Sequence, residues 1–314
     1  MNVLLTGASG FLGGALKNEL EKKTYVNLSI TVRSPSSDID ASQVHVVGDI
    51  DAFSNWRTAL INRNVVIHTA ARAHVMGDGA NNPLSEYRRV NVGGTLHLAK
   101  QASESGVKRF IFISSIKVNG EHTIRNKYFS ADDKPAPLDA YGQSKWEAEQ
   151  GLFEIGGRTG MEVVVIRPPL IYGPGVKGNF ASMVELIRRG LPLPLGDIHN
   201  LRTLVGVDNL VDLIIRCIDH PAAANRVLLA GDGRDVSTTE LLRSVGQAMG
   251  RPARLVPVPA SFLQWGANLL GKGDVAQRLL GSLQVDISQT RELLGWSPLY
   301  TLEEGLRRCF TPNT

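Results

Sequence analysis

The sequence has few cysteines and no long apolar run. Cys217 and Cys309 are its 2 cysteines among 314 residues, too few for a disulfide framework, and their spacing fits no metal site. We therefore expect a reducing compartment, the cytoplasm, and no bound metal. No apolar run reaches the length of a membrane span, and MNVLLTG reads as a strand rather than a leader, so neither insertion nor secretion is expected.

Dense blocks of charge are also missing. The formal net charge is +4, and lysine and arginine form no block of the kind that coats nucleic acid. With 43% hydrophobic and 20% charged residues, the composition excludes a disordered chain. We therefore expect a small anionic ligand as the partner, and neither nucleic acid nor a membrane.

What the chain does contain is an alternation of short β-rich runs and helical segments. Strands are predicted at 2–6, 28–33, 43–47, 64–70, 108–115 and 161–167. Helical apolar spacing covers 11–22, 54–62, 84–104 and 139–159. This alternation is typical of an α/β fold with a doubly wound parallel sheet of the Rossmann type, whose ligand lies beyond the carboxyl ends of the strands.

The pattern changes after Arg167. The stretch PPLIYGPG is predicted to be a loop, and proline and glycine punctuate the chain beyond it. We expect a dinucleotide-binding domain at 1–167 and a smaller α/β substrate lobe at 168–314, with the segment of about 203–229 returning to the first domain. Further helices are predicted near 207–219, 237–249, 261–270 and 288–294, and further strands near 226–229 and 254–258.

The most specific local pattern is the glycine-rich loop LLTGASGFLGG at residues 4–14. A strand runs into Gly7, Gly10 and Gly13, and a helix with regularly spaced apolar residues follows. Gly7 would allow a tight turn, Gly10 the approach of a pyrophosphate, and Gly13 close packing of the helix on the strand. The free amides of that helix would face the phosphates. The loop predicts a dinucleotide site.

A second pattern, DAYGQSKWEAEQ, carries acid–base chemistry. Tyr141 and Lys145 are four residues apart, one helical turn on one face. A nearby ammonium stabilises a phenolate, so the pair could give and take a proton. Ser114 and Ser115 end the fifth predicted strand, where a hydroxyl could bind the substrate oxygen. The alternative, a surface contact between tyrosine and lysine, is less consistent with the glycine loop.

Together these motifs resemble the extended short-chain dehydrogenase/reductase family over nearly the whole chain. The residues that carry the resemblance are TGASGFLGG, Asp49 in GDID, HTAAR at 68–72, Asn91 in VNVGGT, FISSIKVNGE, YGQSK and IRPPLIYGPG. The chain resembles most the nucleotide-sugar group, which includes UDP-hexose 4-epimerases and reductases of UDP-4-keto-6-deoxy-N-acetylhexosamines. The latter form UDP-N-acetylquinovosamine or fucosamine for surface polysaccharides such as the O-antigen of lipopolysaccharide.

The resemblance implies a catalytic set and a cofactor site. Ser115, Tyr141 and Lys145 would be catalytic, and Lys145 would also hold the nicotinamide ribose. The residues expected at the dinucleotide are Gly7, Ser9, Gly10, Phe11, Leu12, Gly13, Arg33, Ser34, Asp49, Ile50, Ala70, Ala71, Arg72, Asn91, Ser114, Tyr141, Lys145 and Pro168.

The end of the second predicted strand indicates which dinucleotide is used. An acid there would bind a ribose 2′-hydroxyl, whereas a cation attracts a 2′-phosphate. Here the strand ends in Arg33, followed by Ser34, and Asp38 lies too far along the loop to be that acid. NADP(H) is therefore expected, with NAD(H) as the alternative if Arg33 is simply a solvated arginine.

The substrate residues follow mainly from the resemblance. Asn179, Arg202 and Arg278 fall where the family binds a UDP-sugar, although Arg278 also fits a helix-surface charge. Lys117 replaces a common threonine of the epimerases, and it either reaches the sugar or points to water. His74 either lines the sugar pocket or is an incidental loop histidine. The resemblance also implies a homodimer through the helices at 84–104 and 139–159.

The reaction expected from these residues is NADPH-dependent reduction of a UDP-linked 4-keto-6-deoxy-N-acetylhexosamine. Ser115 and Tyr141 would bind the C4 carbonyl oxygen, and Tyr141 would protonate the alkoxide, with Lys145 supporting the phenol. The alternative is a UDP-hexose or UDP-N-acetylhexosamine 4-epimerase with bound NAD. A third interpretation, an NADP-binding sensor or scaffold without chemistry, is disfavoured because such chains usually lack the catalytic pair.

Overall fold

The fold is given by a computed structural model that describes residues 1–34, 43–73, 83–271 and 273–311. The strands are β1 (Asn2–Thr6), β2 (Asn27–Val32), β3 (Val44–Val46), β4 (Val65–His68), β5 (Arg109–Ile113), β6 (Tyr128–Phe129), β7 (Glu162–Arg167), β8 (Leu170–Tyr172), β9 (Arg202–Gly206), β10 (Arg226–Leu229), β11 (Asp235–Val236) and β12 (Gln284–Val285).

The helices lie between and after these strands. They are α1 (Phe11–Glu21), α2 (Arg57–Leu60), α3 (Pro83–Tyr87), α4 (Thr95–Glu104), α5 (Ala140–Thr159), α6 (Asn179–Arg188), α7 (Val207–Arg216), α8 (Thr238–Ala248), α9 (Ala260–Leu269), α10 (Gly273–Leu280), α11 (Ser288–Leu294) and α12 (Leu302–Phe310). A π-helical segment, Arg88–Gly94, joins α3 to α4, and a 3-10 turn, Ile116–Val118, follows β5.

The main sheet has seven parallel strands in the order β10-β7-β5-β4-β1-β2-β3. Successive strand residues point to opposite sides of the sheet, and helices cover both sides, so the sheet is buried on both faces. Val3 and Leu5 pack with α1 and α7, whereas Leu4 packs with α4 and α5. The fold predicted from the sequence, an α/β doubly wound parallel sheet, is confirmed.

The region after residue 168 combines short strands with helices. A three-stranded sheet has the order β11-β9-β8, and β12 pairs with β6. The segment around 207–229 supplies α7 and the edge strand β10 to the main sheet, where β10 pairs with β7. The division into domains at residue 168 stays a prediction.

Two local predictions in this region are wrong. PPLIYGPG is not entirely a loop, since β8 lies within it and pairs with β9. Residues 254–258 form no strand, and Leu255 makes a single bridge to Leu193 instead. Both errors concern runs of few residues, for which distant pairing decides the structure. Within the described ranges, no helix has the length and apolar character needed to cross a bilayer.

Candidate active site

The glycine loop between β1 and α1 is built around close backbone contacts. Gly7 has φ +76° and lies against the chain after β4, so an added Cβ would come within 2.7 Å of the Ala70 nitrogen. At Gly13 a Cβ would lie 2.0 Å from the Gly7 carbonyl oxygen. The Gly10 amide donates to that same oxygen at 2.9 Å. Glycine is therefore required at Gly7 and Gly13 for the helix to start against the strand.

The start of α1 is open to a ligand. Gly10 is the N-terminal cap and provides no side chain to the first amides of the helix. Those amides have no partner within the helix, because the carbonyls they would need precede it. Ser9 and Gly10 are exposed, and Phe11 is half-buried. The unpaired amides and the positive end of the helix match the charge and the acceptors of a diphosphate. The residues present are therefore compatible with a dinucleotide at this position.

The residues expected at the adenosine end follow β2 and β3. Arg33 and Ser34 are exposed just beyond β2, and Asp49 is exposed beyond β3. Ile50 is half-buried against Gly94, where an added Cβ would lie 2.5 Å from the Ile50 methyl carbon. These side chains share the carboxyl edge of the sheet, and their contact with a dinucleotide stays a prediction.

Asn91 organises the loop after β4. Its amide oxygen accepts from the Arg72 backbone nitrogen at 2.8 Å, and its amide nitrogen donates to the Arg72 carbonyl at 3.1 Å. The same nitrogen donates to the Ser144 hydroxyl on α5 at 3.0 Å. Asn91 is buried, so it joins the loop of Ala70, Ala71 and Arg72 to the catalytic helix rather than standing free for a ligand.

The helix α5 begins with a side-chain cap and presents Tyr141 and Lys145 one turn apart. The Asp139 carboxylate accepts from the Gly142 amide at 2.6 Å. The Lys145 ammonium donates to the Ile113 carbonyl at 2.8 Å and lies 6.0 Å from the centre of the Tyr141 ring. The structure therefore brings the predicted pair to the carboxyl end of β5.

Burial dominates the electrostatics of this pair. Burial lowers the pKa of Lys145 to about 7, with the Glu149 charge acting in the opposite direction. The pKa of Tyr141 is raised, first by burial and then by the nearby Asp139 and Tyr87. The Tyr87 ring meets the Tyr141 ring edge-on, with 5.9 Å between their centres. Burial therefore favours the uncharged form of both side chains.

The two serines after β5 have different surroundings. The Ser114 hydroxyl is buried and donates to the Glu149 carboxylate, and the contact of Ser114 with the dinucleotide stays a prediction. Ser115 is half-buried and its hydroxyl accepts from the Lys117 amide at 3.3 Å. The Ile116 amide donates to the Pro168 carbonyl at 3.0 Å, which ties this turn to the chain after β7. The contact of the Ser115 hydroxyl with a substrate stays a prediction.

Lys117 lies between two carboxylates. Its ammonium is 2.7 Å from Glu121 and 2.5 Å from Asp139. Burial alone would lower the pKa of Lys117, but the hydrogen bonds with Asp139 and Glu121 outweigh it and raise the pKa. The expectation that this side chain points freely into water is wrong, and its contact with the sugar stays a prediction.

The region after residue 168 brings one predicted arginine toward this cluster. Arg202 at the start of β9 is half-buried, and its guanidinium donates to the carbonyls of Arg278 and Gly281 at 2.9 and 3.1 Å. Burial lowers its pKa, and the Glu121 charge acts against that shift. Arg278 itself is exposed. The side chain of Asn179, the first residue of α6, and all of His74 lie outside the described residues.

Sequence reasoning missed a buried network behind the catalytic helix. Glu149 receives hydrogen bonds from Arg167 at 3.0 and 2.5 Å, and Arg167 also donates to Asn119 at 2.9 Å. His68 is also buried, hydrogen-bonded to Thr6 at 2.7 Å and to Thr95 at 3.0 Å. A signal existed in both cases: Glu149 is one turn beyond Lys145, and His68 is a polar residue within an apolar strand.

Comparisons with known proteins agree with this geometry. Residues 3–231 match the NAD dependent epimerase/dehydratase family. A UDP-glucose 4-epimerase of Vibrio cholerae is 50% identical over 308 residues, which cover 98% of this chain and 94% of that protein.

Solved structures share the fold. MoeE5 in complex with UDP-glucuronic acid and NAD is 27% identical, has a TM-score of 0.77 and covers 99% of this chain and 98% of its own. A UDP-N-acetylglucosamine 4-epimerase from Bacillus cereus has a TM-score of 0.80 at 18% identity and covers 99% of this chain and 98% of its own.

These findings correct the expected reaction. The prediction of a net reductase of a UDP-4-keto sugar is wrong, because the relative that is 50% identical along almost the whole chain is a 4-epimerase. The physical reason is that reduction and epimerisation at C4 use the same proton-transfer groups. Ser115, Tyr141 and Lys145 therefore could not discriminate between the two reactions.

Proposed function

This chain belongs to the NAD dependent epimerase/dehydratase family, and we propose that it is a 4-epimerase of UDP-linked hexoses. The observation that carries the proposal is the 50% identity to a UDP-glucose 4-epimerase, which extends over 98% of this chain. Ser115, Tyr141 and Lys145 supply the groups that the reaction needs at C4. We propose UDP-glucose and UDP-N-acetylglucosamine as its candidate substrates.

The cofactor site would be formed by the glycine loop and the end of β5. The open amides at the start of α1 would bind the diphosphate, and Lys145 would bind the nicotinamide ribose. When bound, the nicotinamide ring supplies a hydride acceptor for oxidation of C4 and the donor for its reduction. The chain itself has to orient the sugar, exclude water and move one proton.

Tyr141 is the residue that transfers the proton. Its phenolate oxygen takes the proton of the C4 hydroxyl as that carbon is oxidised, and returns it to the C4 oxygen when the sugar presents its other face. The Ser115 hydroxyl donates a hydrogen bond to the C4 oxygen of the 4-keto intermediate. A protonated Lys145 stabilises the phenolate, and burial places the pKa of Lys145 at about 7, where its charge can change during turnover.

The identity of the dinucleotide follows from the reaction. An epimerase returns the hydride that it removes, so it needs a retained cofactor and no supply of NADPH. We therefore propose NAD. The exposed Arg33 and Ser34 beyond β2 favour NADP as the alternative, because a guanidinium matches a 2′-phosphate.

The UDP moiety would lie between the catalytic turn and the substrate lobe. Arg202 is the strongest candidate for the diphosphate, since its guanidinium is half-buried at the start of β9 and can bind a phosphate with two donors. Arg278, Asn179 and His74 stay predictions. We also propose a homodimer that forms through the π-helical segment, α4 and α5. We further propose a cytoplasmic location and a role in surface-polysaccharide precursor synthesis.

Two assays test the proposal together. Purified protein is incubated with UDP-glucose or with UDP-N-acetylglucosamine without added cofactor, and the C4 epimer is quantified by chromatography. The dinucleotide released by heating is identified in parallel. We expect an equilibrium mixture of epimers and stoichiometric NAD. A protein that binds its dinucleotide tightly but converts neither sugar is not a 4-epimerase of these substrates.

A further inference from the structure

Lys117 joins two elements that carry different catalytic groups. It lies in the 3-10 turn Ile116–Val118, directly after Ser115. Its ammonium donates to the Glu121 carboxylate, four residues along the chain, at 2.7 Å. It also donates to the carboxylate of Asp139, the residue before α5, at 2.5 Å. Asp139 in turn caps α5, two residues before Tyr141. One side chain thus links the serine turn to the first turn of the tyrosine helix.

The backbone around this link is packed closely. A Cβ added at Gly142 would lie 2.8 Å from the Lys117 carbonyl oxygen and 3.2 Å from the Asp139 carboxylate. The Ala136 amide donates to the Val118 carbonyl at 2.9 Å. The turn and the helix therefore touch through main chain, and a change in their relative position would move Ser115 against Tyr141.

Charge on these residues also reaches the phenol. Tyr141 faces Asp139 on its own helix end, Tyr87 from α3 and Lys145 one turn along α5. Asp139 raises the pKa of Tyr141, and the Lys117 ammonium lowers that of Asp139 through a hydrogen bond. Glu121 and Arg202 are further charged groups near this turn among the described residues. Without Lys117, the Asp139 charge beside Tyr141 would lose this ion pair.

We propose that Lys117 is a positioning residue, whose ammonium holds the Ser115 turn against the start of α5 and offsets the Asp139 charge beside the Tyr141 phenol. This proposal rests on the proposed epimerase function and adds a residue that acts through Tyr141 rather than on the sugar.

The test compares four variants with the wild type: Lys117→Met, Lys117→Arg, Asp139→Asn and Lys117→Met/Asp139→Asn. Asparagine still caps a helix, so the Asp139 change removes charge and keeps the cap. Lys127→Met is the matched control, because Lys127 is an exposed lysine beyond the same turn. The measurement is kcat and KM for UDP-hexose epimerisation as a function of pH, with bound dinucleotide quantified for each variant.

We expect Lys117→Met to move the acid limb of kcat/KM upward by about one pH unit and to lower kcat at pH 7 about tenfold. Its KM should stay within about twofold, because a positioning residue acts through Tyr141 rather than on the sugar. Lys117→Arg should restore most of the activity. The double variant should return the acid limb toward its wild-type position, since both charges are gone.

Three results overturn the proposal: an unshifted acid limb in Lys117→Met, a rise in KM alone, or a double variant that stays as shifted as the single one. A rise in KM alone would make Lys117 a sugar contact. Failure of the wild type and Lys127→Met to epimerise either substrate would overturn the proposed function instead.

A readout independent of activity tests the link itself. Urea unfolding of the wild type, Lys117→Met, Asp139→Asn and Lys117→Met/Asp139→Asn gives the coupling of Lys117 and Asp139. We expect about a threefold to tenfold coupling in the unfolding equilibrium constant. A coupling of one, within error, contradicts the link even if the protein has no epimerase activity.

Discussion

Glu149 and Arg167 form a buried ion pair, with side chains 1% and 4% exposed and 2.5 Å between the closest nitrogen and oxygen. Glu149 lies one helical turn beyond Lys145 on α5, Arg167 ends β7, and Ser114 donates to the same carboxylate. Removal of one partner would leave an uncompensated charge in the interior. The pair is therefore a structural support of the catalytic helix, and it can be tested as such.

Arg167→Met should lower the free energy of unfolding by about 3–5 kcal/mol, because it leaves the Glu149 charge buried without its partner. Urea unfolding followed by circular dichroism measures the change. The double variant Arg167→Met/Glu149→Leu is the control, since it removes both charges and should recover a large part of the loss. A double variant less stable than Arg167→Met would contradict this account of the pair.

Tyr141→Phe should lower kcat by about 10²–10⁴-fold, because the phenol oxygen that moves the proton is gone. The bound dinucleotide content should stay near that of the wild type. Tyr87→Phe is the matched control: its ring meets Tyr141 edge-on, so it tests removal of a neighbouring hydroxyl with retention of the aromatic contact. Steady-state epimerisation and dinucleotide content are measured for both. Full activity in Tyr141→Phe would remove this residue from the reaction.

Gly13→Ala should destabilise the protein by about 1–3 kcal/mol and reduce its bound dinucleotide, because the new methyl group would lie 2.0 Å from the Gly7 carbonyl oxygen. Gly14→Ala is the matched control in the next position of α1. There the methyl group would lie 3.4 Å from the Ala8 carbonyl oxygen, so little change is expected. Thermal unfolding and the ratio of dinucleotide to protein distinguish the two. Equal behaviour of the two variants would show that close packing is not the reason for glycine at residue 13.

His68 should make the protein less stable as the pH falls. Burial lowers the pKa of His68 to about 3, with the Lys145 charge adding to the shift, whereas an unfolded histidine titrates near 6.5. Between these values the unfolded chain binds the additional proton, so the free energy of unfolding falls by up to about 1.4 kcal/mol for each pH unit of acidification. The contribution is complete above about pH 6.5 and is lost toward pH 3.

His68→Asn should reduce this pH dependence, as measured by urea unfolding between pH 4.5 and pH 7. His199→Asn is the control, because the His199 side chain is 75% exposed. Its slope gives the reference for the replacement of an exposed histidine. Equal slopes for the wild type and His68→Asn would mean that His68 is not held neutral in the folded protein.

The sequence predicted the parts of this site that depend on local geometry. The glycine loop needs its residues at fixed spacing, and Tyr141 and Lys145 need only one helix to share a face. Arg167 could not be placed against Glu149 in the same way, because a strand and a helix have to pack before the two meet. The short strands β8, β9 and β11 also depend on distant pairing.

The sequence could not predict whether the reaction is a net reduction or an epimerisation, and the reason is chemical. The roles predicted for Ser115, Tyr141 and Lys145 would serve a reductase and an epimerase equally, and the predicted role of Arg33 concerns only the 2′-position of the cofactor. What distinguishes the reactions is whether the hydride is returned to the same sugar. No residue in these motifs indicates whether the hydride returns to the same sugar.

The most direct test of the proposed epimerase is therefore an isotopic one. UDP-glucose or UDP-N-acetylglucosamine carrying deuterium at C4 is incubated with the purified protein without added cofactor, and the sugars are examined by mass spectrometry and nuclear magnetic resonance. The account predicts that the C4 epimer forms and retains deuterium at C4, because the hydride is taken from that carbon and returned to it. Absence of the epimer with both sugars, or an epimer that has lost its C4 deuterium, would contradict it.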